Sequence, residues 1–380
     1  MAKGQVAQVS VSKDWIDFGI GQPQLDNLPL EQLEAGANHR FERKDRSILA
    51  YGIEKGNGQF RIALADFLGL QYGNAVDPDQ LFITGGVSQA LDMICALKTR
   101  PGDTVIVEEP SYFLALRIFA DYKLKVIGTP IDANGIIIDE LEKRLKKHKP
   151  AFVYTIPVFH NPAGVTQSPK RRNKLTHLSE KYDFLIVADE VYQLLNYNSV
   201  PPPPMAYCDD SRRVLSLGSF SKILAPGLKL GWMQAKPNQL SPFTSCGYLE
   251  SGGGLNPFVS GIVSSVIKLG LQESYLKRLK KIYKDRMTTL SDALRQKIPA
   301  LKFRDPSGGY FIWANLPDGA DNELLLAEAK KHKVSYQPGI KFSSSKGLRD
   351  HLRLCFAYYR KQDLVKGVQR LARAIEMERP

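Results

Sequence analysis

The sequence predicts an α/β fold of two domains, a larger one with a mostly parallel sheet covered by helices and a smaller α+β unit. Three observations carry this. A chain of 380 residues exceeds one ordinary core, and its 43% hydrophobic content is enough to fill two. Residues 80–235 alternate short apolar runs with helical segments such as 111–122 and 171–182, the pattern of a sheet covered on both faces. Beyond residue 257 an apolar stretch leads into a charged helical run at 275–298, then strands at 301–316 and 351–358 and helices near 322–332 and 362–377. This places the large domain at 43–265 and the small one at 266–380 together with an N-terminal arm, 1–42, packed against it.

Four strand ends within the large domain carry polar residues of chemical interest. Leu81-Phe82-Ile83-Thr84 reads as a strand, Gly85-Gly86 as a turn and Val87 onward as an amphipathic helix. The free amides around Val87 and Ser88, the positive end of the helix dipole and the Ser88 hydroxyl make a seat for an anion such as phosphate. Ala151 to Pro157 forms the next apolar strand, followed by Val158-Phe159-His160-Asn161-Pro162-Ala163-Gly164. Asn161, biased to an extended conformation by Pro162, presents an amide able to donate to a phenolate oxygen. His160 reads as a loop residue without a role.

Asp183 to Tyr192 is a buried strand whose carboxyl end releases Asp189 and Tyr192 into a crevice. A carboxylate held there keeps a pyridine nitrogen protonated, so that the ring accepts electrons from a substrate carbon. In Ser219-Phe220-Ser221-Lys222 one lysine stands between hydroxyls suited to phosphate, and Pro226-Gly227 turns the chain so that Lys229 comes back toward Lys222. Lys222 is thus the candidate for a Schiff base with pyridoxal phosphate. Taken singly, each segment also has an ordinary structural reading: a helix-leading glycine turn, an Asn-Pro turn, an N-cap carboxylate, a solvated lysine.

Taken in order, these segments resemble the fold-type I pyridoxal phosphate enzymes, the class I/II aminotransferases, and among them the group of 2-aminoadipate and kynurenine aminotransferases. The resemblance covers nearly the whole chain. It includes Ile16-Asp17-Phe18-Gly19-Ile20-Gly21-Gln22-Pro23, Leu49-Ala50-Tyr51-Gly52, Pro101-Gly102-Asp103, Glu109-Pro110-Ser111-Tyr112, Gly308-Gly309-Tyr310-Phe311-Ile312-Trp313, Pro338-Gly339 and His351-Leu352-Arg353-Leu354. The resemblance implies that Lys222 carries the cofactor and shuttles a proton between the substrate α-carbon and cofactor C4′. It implies that Asp189 pairs with the pyridine nitrogen, that Tyr192 and Asn161 bond O3′, and that Tyr112 stacks on the ring. Gly86, Val87, Ser88, Ser219, Ser221 and Lys229 surround the phosphate, joined by Tyr51 from the partner subunit of a homodimer. Arg353 clamps the substrate α-carboxylate, with Gly21 and Asn161 beside it, because a planar guanidinium matches a carboxylate bidentately. Tyr51 and Tyr112 also read as core or interface aromatics, and Arg353 as the outward face of an alternating strand.

The chain departs from the family in two places. Lys229 stands where arginine is usual and Ala163 where threonine is usual. Both bear on how tightly phosphate is held. The implied reaction moves an amino group from an L-amino acid to a 2-oxo acid through a pyridoxamine phosphate intermediate. The alternatives are a β-lyase of the same fold and a pyridoxal-phosphate-sensing regulatory domain; the latter is disfavoured because the family pattern starts near residue 16.

The remaining signals are plain. The N-terminus lacks a secretory apolar core, and the most hydrophobic stretch, 255–271, is broken by Ser264, Ser265 and Lys268, so a cytoplasmic protein without membrane contact is expected. Cys95, Cys208, Cys246 and Cys355 are far apart and match neither a zinc site nor a disulfide framework. The net charge of +13 gathers in the runs 143–149 and 277–286, read as solvated faces of helices rather than a nucleic-acid surface. Pro201 to Pro204 reads as an extended linker.

Overall fold

The computed structural model describes residues 8–9, 11–208, 211–316 and 322–378. The N-terminal arm contributes a short strand, β1 (Ile16–Asp17). Eight strands form the large sheet: β2 (Leu81–Thr84), β3 (Thr104–Glu109), β4 (Lys125–Asp132), β5 (Gly135–Ile136), β6 (Pro150–Thr155), β7 (Leu185–Asp189), β8 (Val214–Ser219) and β9 (Gly231–Gln234). Their spatial order is β2-β9-β8-β7-β6-β3-β4-β5. The run from β8 to β4 is parallel, whereas β9 is antiparallel to both its neighbours and β5 to β4.

Strand alternation divides the sheet's side chains between two cores. Val105, Val107, Phe152, Tyr154 and Val187 pack on one face with the helices Val87–Lys98 and Phe113–Asp121. Ile106, Val153, Ile186 and Ala188 pack on the other with Ile138–Leu145 and Pro169–Tyr182. Apolar residues at successive positions are what a parallel sheet buried on both faces requires. Polar side chains are thereby displaced to the strand ends. Because β2 shares the direction of the parallel run, the carboxyl ends of β2, β3, β6, β7 and β8 open on one edge, where α/β sheets place their ligand crevice.

The C-terminal part supplies β10 (Lys302–Phe303), β11 (Phe311–Asn315), β12 (Val334–Ser335), β13 (Gln337–Pro338) and β14 (His351–Cys355). The antiparallel order β10-β11-β14-β13 sets Arg353 opposite Trp313 on one side and Gln337 on the other. Arg353 is therefore on an inner strand and buried, not on an outward face. The helix Leu271–Lys297 packs beneath through Leu276, Leu279, Tyr283, Met287, Leu290 and Leu294, an i, i+3, i+4 stripe. The arm joins this part: β1 pairs in parallel with β12, Ile16 opposite Val334.

The basic run at 143–149 outlasts its helix, which ends at Leu145, and Arg144 turns back to the Gly128 carbonyl at 2.6 Å and Glu140 at 3.1 Å. The proline stretch at 201–204 is anchored, since the Pro202 and Pro203 carbonyls accept from Gln193 and Arg172.

The β8–β9 pair sets the edge from which Lys222 emerges. Gly218 lies opposite Trp232, and a Cβ at Gly218 would sit 2.1 Å from the indole, so that ring occupies the space a side chain would need. Gly218→Ala is expected to lower stability by about 1–3 kcal/mol through overpacking, seen as a lower urea midpoint. An unchanged midpoint would refute this account of the contact.

Candidate active site

Lys222 follows the turn after β8 and reaches across the crevice, where Nζ donates to the Gly21 carbonyl of the arm at 2.8 Å. Tyr310 fixes it from below, with its hydroxyl donating to the Lys222 carbonyl at 3.1 Å and its ring centre 5.4 Å from Nζ. Burial lowers the ammonium pKa to about 8, with Arg353 acting in the same direction and Asp189 opposing. The lysine thus has an appreciable neutral fraction near neutral pH.

Asp189 ends β7 and is buried. Tyr154 stands on the neighbouring strand and the same face, and its hydroxyl donates to Asp189 Oδ2 at 2.7 Å. Burial raises the carboxyl pKa to about 6, against the Tyr154 bond, the Val191 amide and the charge of Lys222. Tyr112 is pushed up to about 12 by burial and then by Asp189, which puts its hydroxyl in the same field. Tyr192 packs its ring on Tyr310 and, edge-on, on Phe311.

Arg353 enters from β14. Nη1 donates to Asn161 Oδ1 at 3.0 Å and Nη2 to the Gly19 carbonyl at 2.8 Å, while Nε is buried without a hydrogen-bond partner. The guanidinium lies 4.0 Å from the Phe311 ring centre and 5.0 Å from that of Phe342. It forms no ion pair among the described residues. Gly21 belongs here too, since a Cβ on it would lie 3.2 Å from Phe311 and 3.7 Å from Arg353 Nη2.

His160 is buried, with Nε2 3.2 Å from Glu108 Oε2, whereas the sequence assigned it no role. Its Nδ1 accepts from the Ala163 amide, and Glu108 also accepts from the Thr155 hydroxyl at 2.8 Å and the Ile156 amide at 2.7 Å. The loop bearing Asn161 is thus braced by a buried carboxylate. Glu108, Tyr154, Gly19 and Tyr310 were not among the sequence candidates. A glutamate directly after three apolar strand residues was the available signal for Glu108.

The candidate anion seat assembles where β2 and β8 end. Gly86, at φ 94°, is the N-cap of the helix Val87–Lys98, leaving the Val87 and Ser88 amides without helical acceptors. A Cβ on Gly86 would stand 3.7 Å from Ser219 Oγ, which in turn donates to Ser221 Oγ at 2.9 Å. Lys229 is exposed, and its ammonium makes no hydrogen bond or ion pair among the described residues. Tyr51 is 88% exposed and stands outside these contacts. Lys222, Asp189, Asn161, Gly21 and Arg353 are linked by these contacts and charges near the carboxyl edge of the large sheet, with Gly86, Ser219 and Ser221 together at the ends of β2 and β8.

The profile of the family described as aminotransferase class I and II matches residues 13–371. The aromatic-amino-acid aminotransferase 1 of Thermococcus litoralis is 34% identical over 375 residues, 97% of this chain and 89% of that protein. The kynurenine aminotransferase of Pyrococcus horikoshii, solved in complex with PMP, superposes with a TM-score of 0.91 at 34% identity, covering 97% of this chain and 92% of that one. The α-aminoadipate aminotransferase of Thermus thermophilus, complexed with N-(5′-phosphopyridoxyl)-L-leucine, gives 0.86 at 28% identity, covering 96% and 93%. The chain belongs to the class I and II aminotransferases, with the type I fold of pyridoxal-phosphate enzymes, and transfers amino groups between amino acids and 2-oxo acids with that cofactor.

Proposed function

We propose that the crevice holds pyridoxal phosphate with Lys222 as its covalent attachment, and that the enzyme uses aromatic L-amino acids as donors. The carrying observation is the convergence of Lys222, Asp189, Asn161 and the unpaired Arg353 on one sheet edge. The residues fit the cofactor. Gly86 leaves room beside Ser219, and the Val87 and Ser88 amides, Ser88, Ser219, Ser221 and Lys229 supply donors for its phosphate. Asp189 provides the carboxylate for the ring nitrogen, Tyr192 and Asn161 the donors for O3′, and Tyr112 a ring for stacking.

When bound, pyridoxal phosphate supplies an electron sink for the carbanion left at the substrate α-carbon. Arg353 binds the α-carboxylate through the guanidinium edge that has no protein carboxylate. Lys222 Nζ, once freed from its covalent attachment, would take the α-proton and deliver it to cofactor C4′. Asp189 holds the proton of the ring nitrogen. Phe113 and Phe342 stand beside Arg353, which supports an aromatic donor side chain, as does the name of the Thermococcus relative.

We also take residues 43–265 as the cofactor-carrying unit and 266–380 with 1–42 as the unit covering the substrate; the pairing of β1 with β12 supports this. A homodimer in the cytoplasm, with Tyr51 of a second copy reaching the phosphate, accords with the exposed Leu49, Tyr51 and Ile53 and with four free thiols. The expected result is sedimentation at dimer mass from the cytosolic fraction; a monomer would remove Tyr51 from the site.

The direct test mixes cofactor-loaded protein with single amino acids and no oxo acid. Aromatic donors are expected to discharge the cofactor's visible absorbance with one equivalent of 2-oxo acid, and Lys222→Ala to cut turnover by roughly 10³-fold or more while remaining folded. Retained turnover in Lys222→Ala would end the assignment, and a response confined to non-aromatic donors would end the donor proposal.

Asp189 yields a pH prediction. Folding raises its pKa from 3.8 to about 6, so the cost of burying its charge is fully present above that pH and vanishes as pH falls toward the unfolded value. In cofactor-free protein, Asp189→Asn should therefore be stabilising by roughly 1–3 kcal/mol at pH 8, the gain shrinking below pH 6. Equal melting temperatures of the two proteins at every pH would contradict it.

A further inference from the structure

The loop after β13 crosses to the large sheet and docks on its edge. Phe342 ends the helical turn Gly339–Phe342, and its carbonyl accepts from the Ser111 amide at 2.8 Å. Two residues on, Ser344 donates both its amide, at 2.9 Å, and its hydroxyl, at 2.6 Å, to Oε2 of Glu109, the last residue of β3. Space for this contact comes from Gly128 in β4, where a Cβ would lie 2.5 Å from Ser344 Oγ and 2.7 Å from Glu109 Oε2. Glycine weakens a strand interior and often marks a close approach of this kind. Between these anchors Phe342 is fully buried, edge-on to Phe113 at 5.3 Å and 5.0 Å from the Arg353 guanidinium.

We propose that Glu109 and Ser344 are positioning residues for substrate binding: their contact seats Phe342 against Arg353 and so holds the guanidinium in the orientation that receives a carboxylate. The inference rests on the reading of Arg353 as the α-carboxylate clamp. Arg353 has hydrogen bonds at Nη1 and Nη2 only, so the plane of the fork depends on what flanks it, and Phe311 and Phe342 are the nearest rings. Releasing the 342–344 segment removes one ring and admits water to the guanidinium, which weakens its attraction for the substrate without touching the groups that move the proton. The consequence falls on binding rather than on the chemical step.

The test uses the cofactor-loaded enzyme and compares Ser344→Ala, Glu109→Ala, Glu109→Gln and the Ser344→Ala/Glu109→Ala double variant, with Arg353→Ala as control. KM for the amino donor is expected to rise about threefold to tenfold in Ser344→Ala and about tenfold or more in Glu109→Ala, with kcat within about twofold and the cofactor spectrum unchanged. The double variant should be no worse than Glu109→Ala, since both break one contact, and Glu109→Gln, which keeps an acceptor oxygen, should recover most of the affinity. An unchanged KM in soluble Glu109→Ala, beside a raised KM in Arg353→Ala, overturns this proposal alone. A fall in kcat without a rise in KM also overturns it. An unchanged KM in Arg353→Ala overturns the clamp itself, and the proposal with it.

Discussion

Burying a guanidinium with no carboxylate beside it costs several kcal/mol unless its protons find partners and its faces find π-systems, and Arg353 meets both conditions. Asn161 and the Gly19 carbonyl take one proton from each terminal nitrogen, and Phe311 and Phe342 lie within cation–π range. These four groups come from four separate segments: the loop after β6, the N-terminal arm, β11 and the turn after β13. Holding one charge tolerable therefore fixes the relative position of most of the crevice. The buried Nε is left without a hydrogen-bond partner among the described residues.

The same low polarity acts on the two titratable groups nearest the chemistry, in opposite directions. Asp189 is raised to about 6 and Lys222 lowered to about 8, each mainly by burial. Both shifts disfavour the charged forms of the two groups.

The local part of this arrangement was readable in the sequence. Asp189, Asn161 and Lys222 each stand just past an apolar run, and a parallel sheet buried on both faces leaves polar residues only there. The sheet itself followed from the same runs. Arg353 was recognisable through the family pattern, since alternation alone also fits an exposed strand face, and only the pairing of β14 between β11 and β13 decides against that. The pairings of Tyr154, Glu108 and His160 were illegible for a different reason. Their partners lie 35 residues away for Tyr154–Asp189 and 47 for Glu108–Thr155, distances over which no periodicity carries information. Tyr51 and Lys229 find no site partner among the described residues, so their expected roles concern a second copy and the cofactor.

The two consecutive glutamates at the end of β3 show how a strand's pleat can couple walls of a site that are far apart in sequence. Successive side chains of a strand point to opposite faces. Glu108 shares its face with Ile106 and Thr155 and braces the Asn161 loop; Glu109 shares its face with Val107 and Gly128 and receives Ser344. Asn161 and Phe342 then meet again at Arg353, one through a hydrogen bond and one through its ring. A displacement of this single strand end would disturb both contacts together. That gives a physical reason for a buried Glu108 and a half-buried Glu109 to stand where an all-apolar strand end would pack more easily.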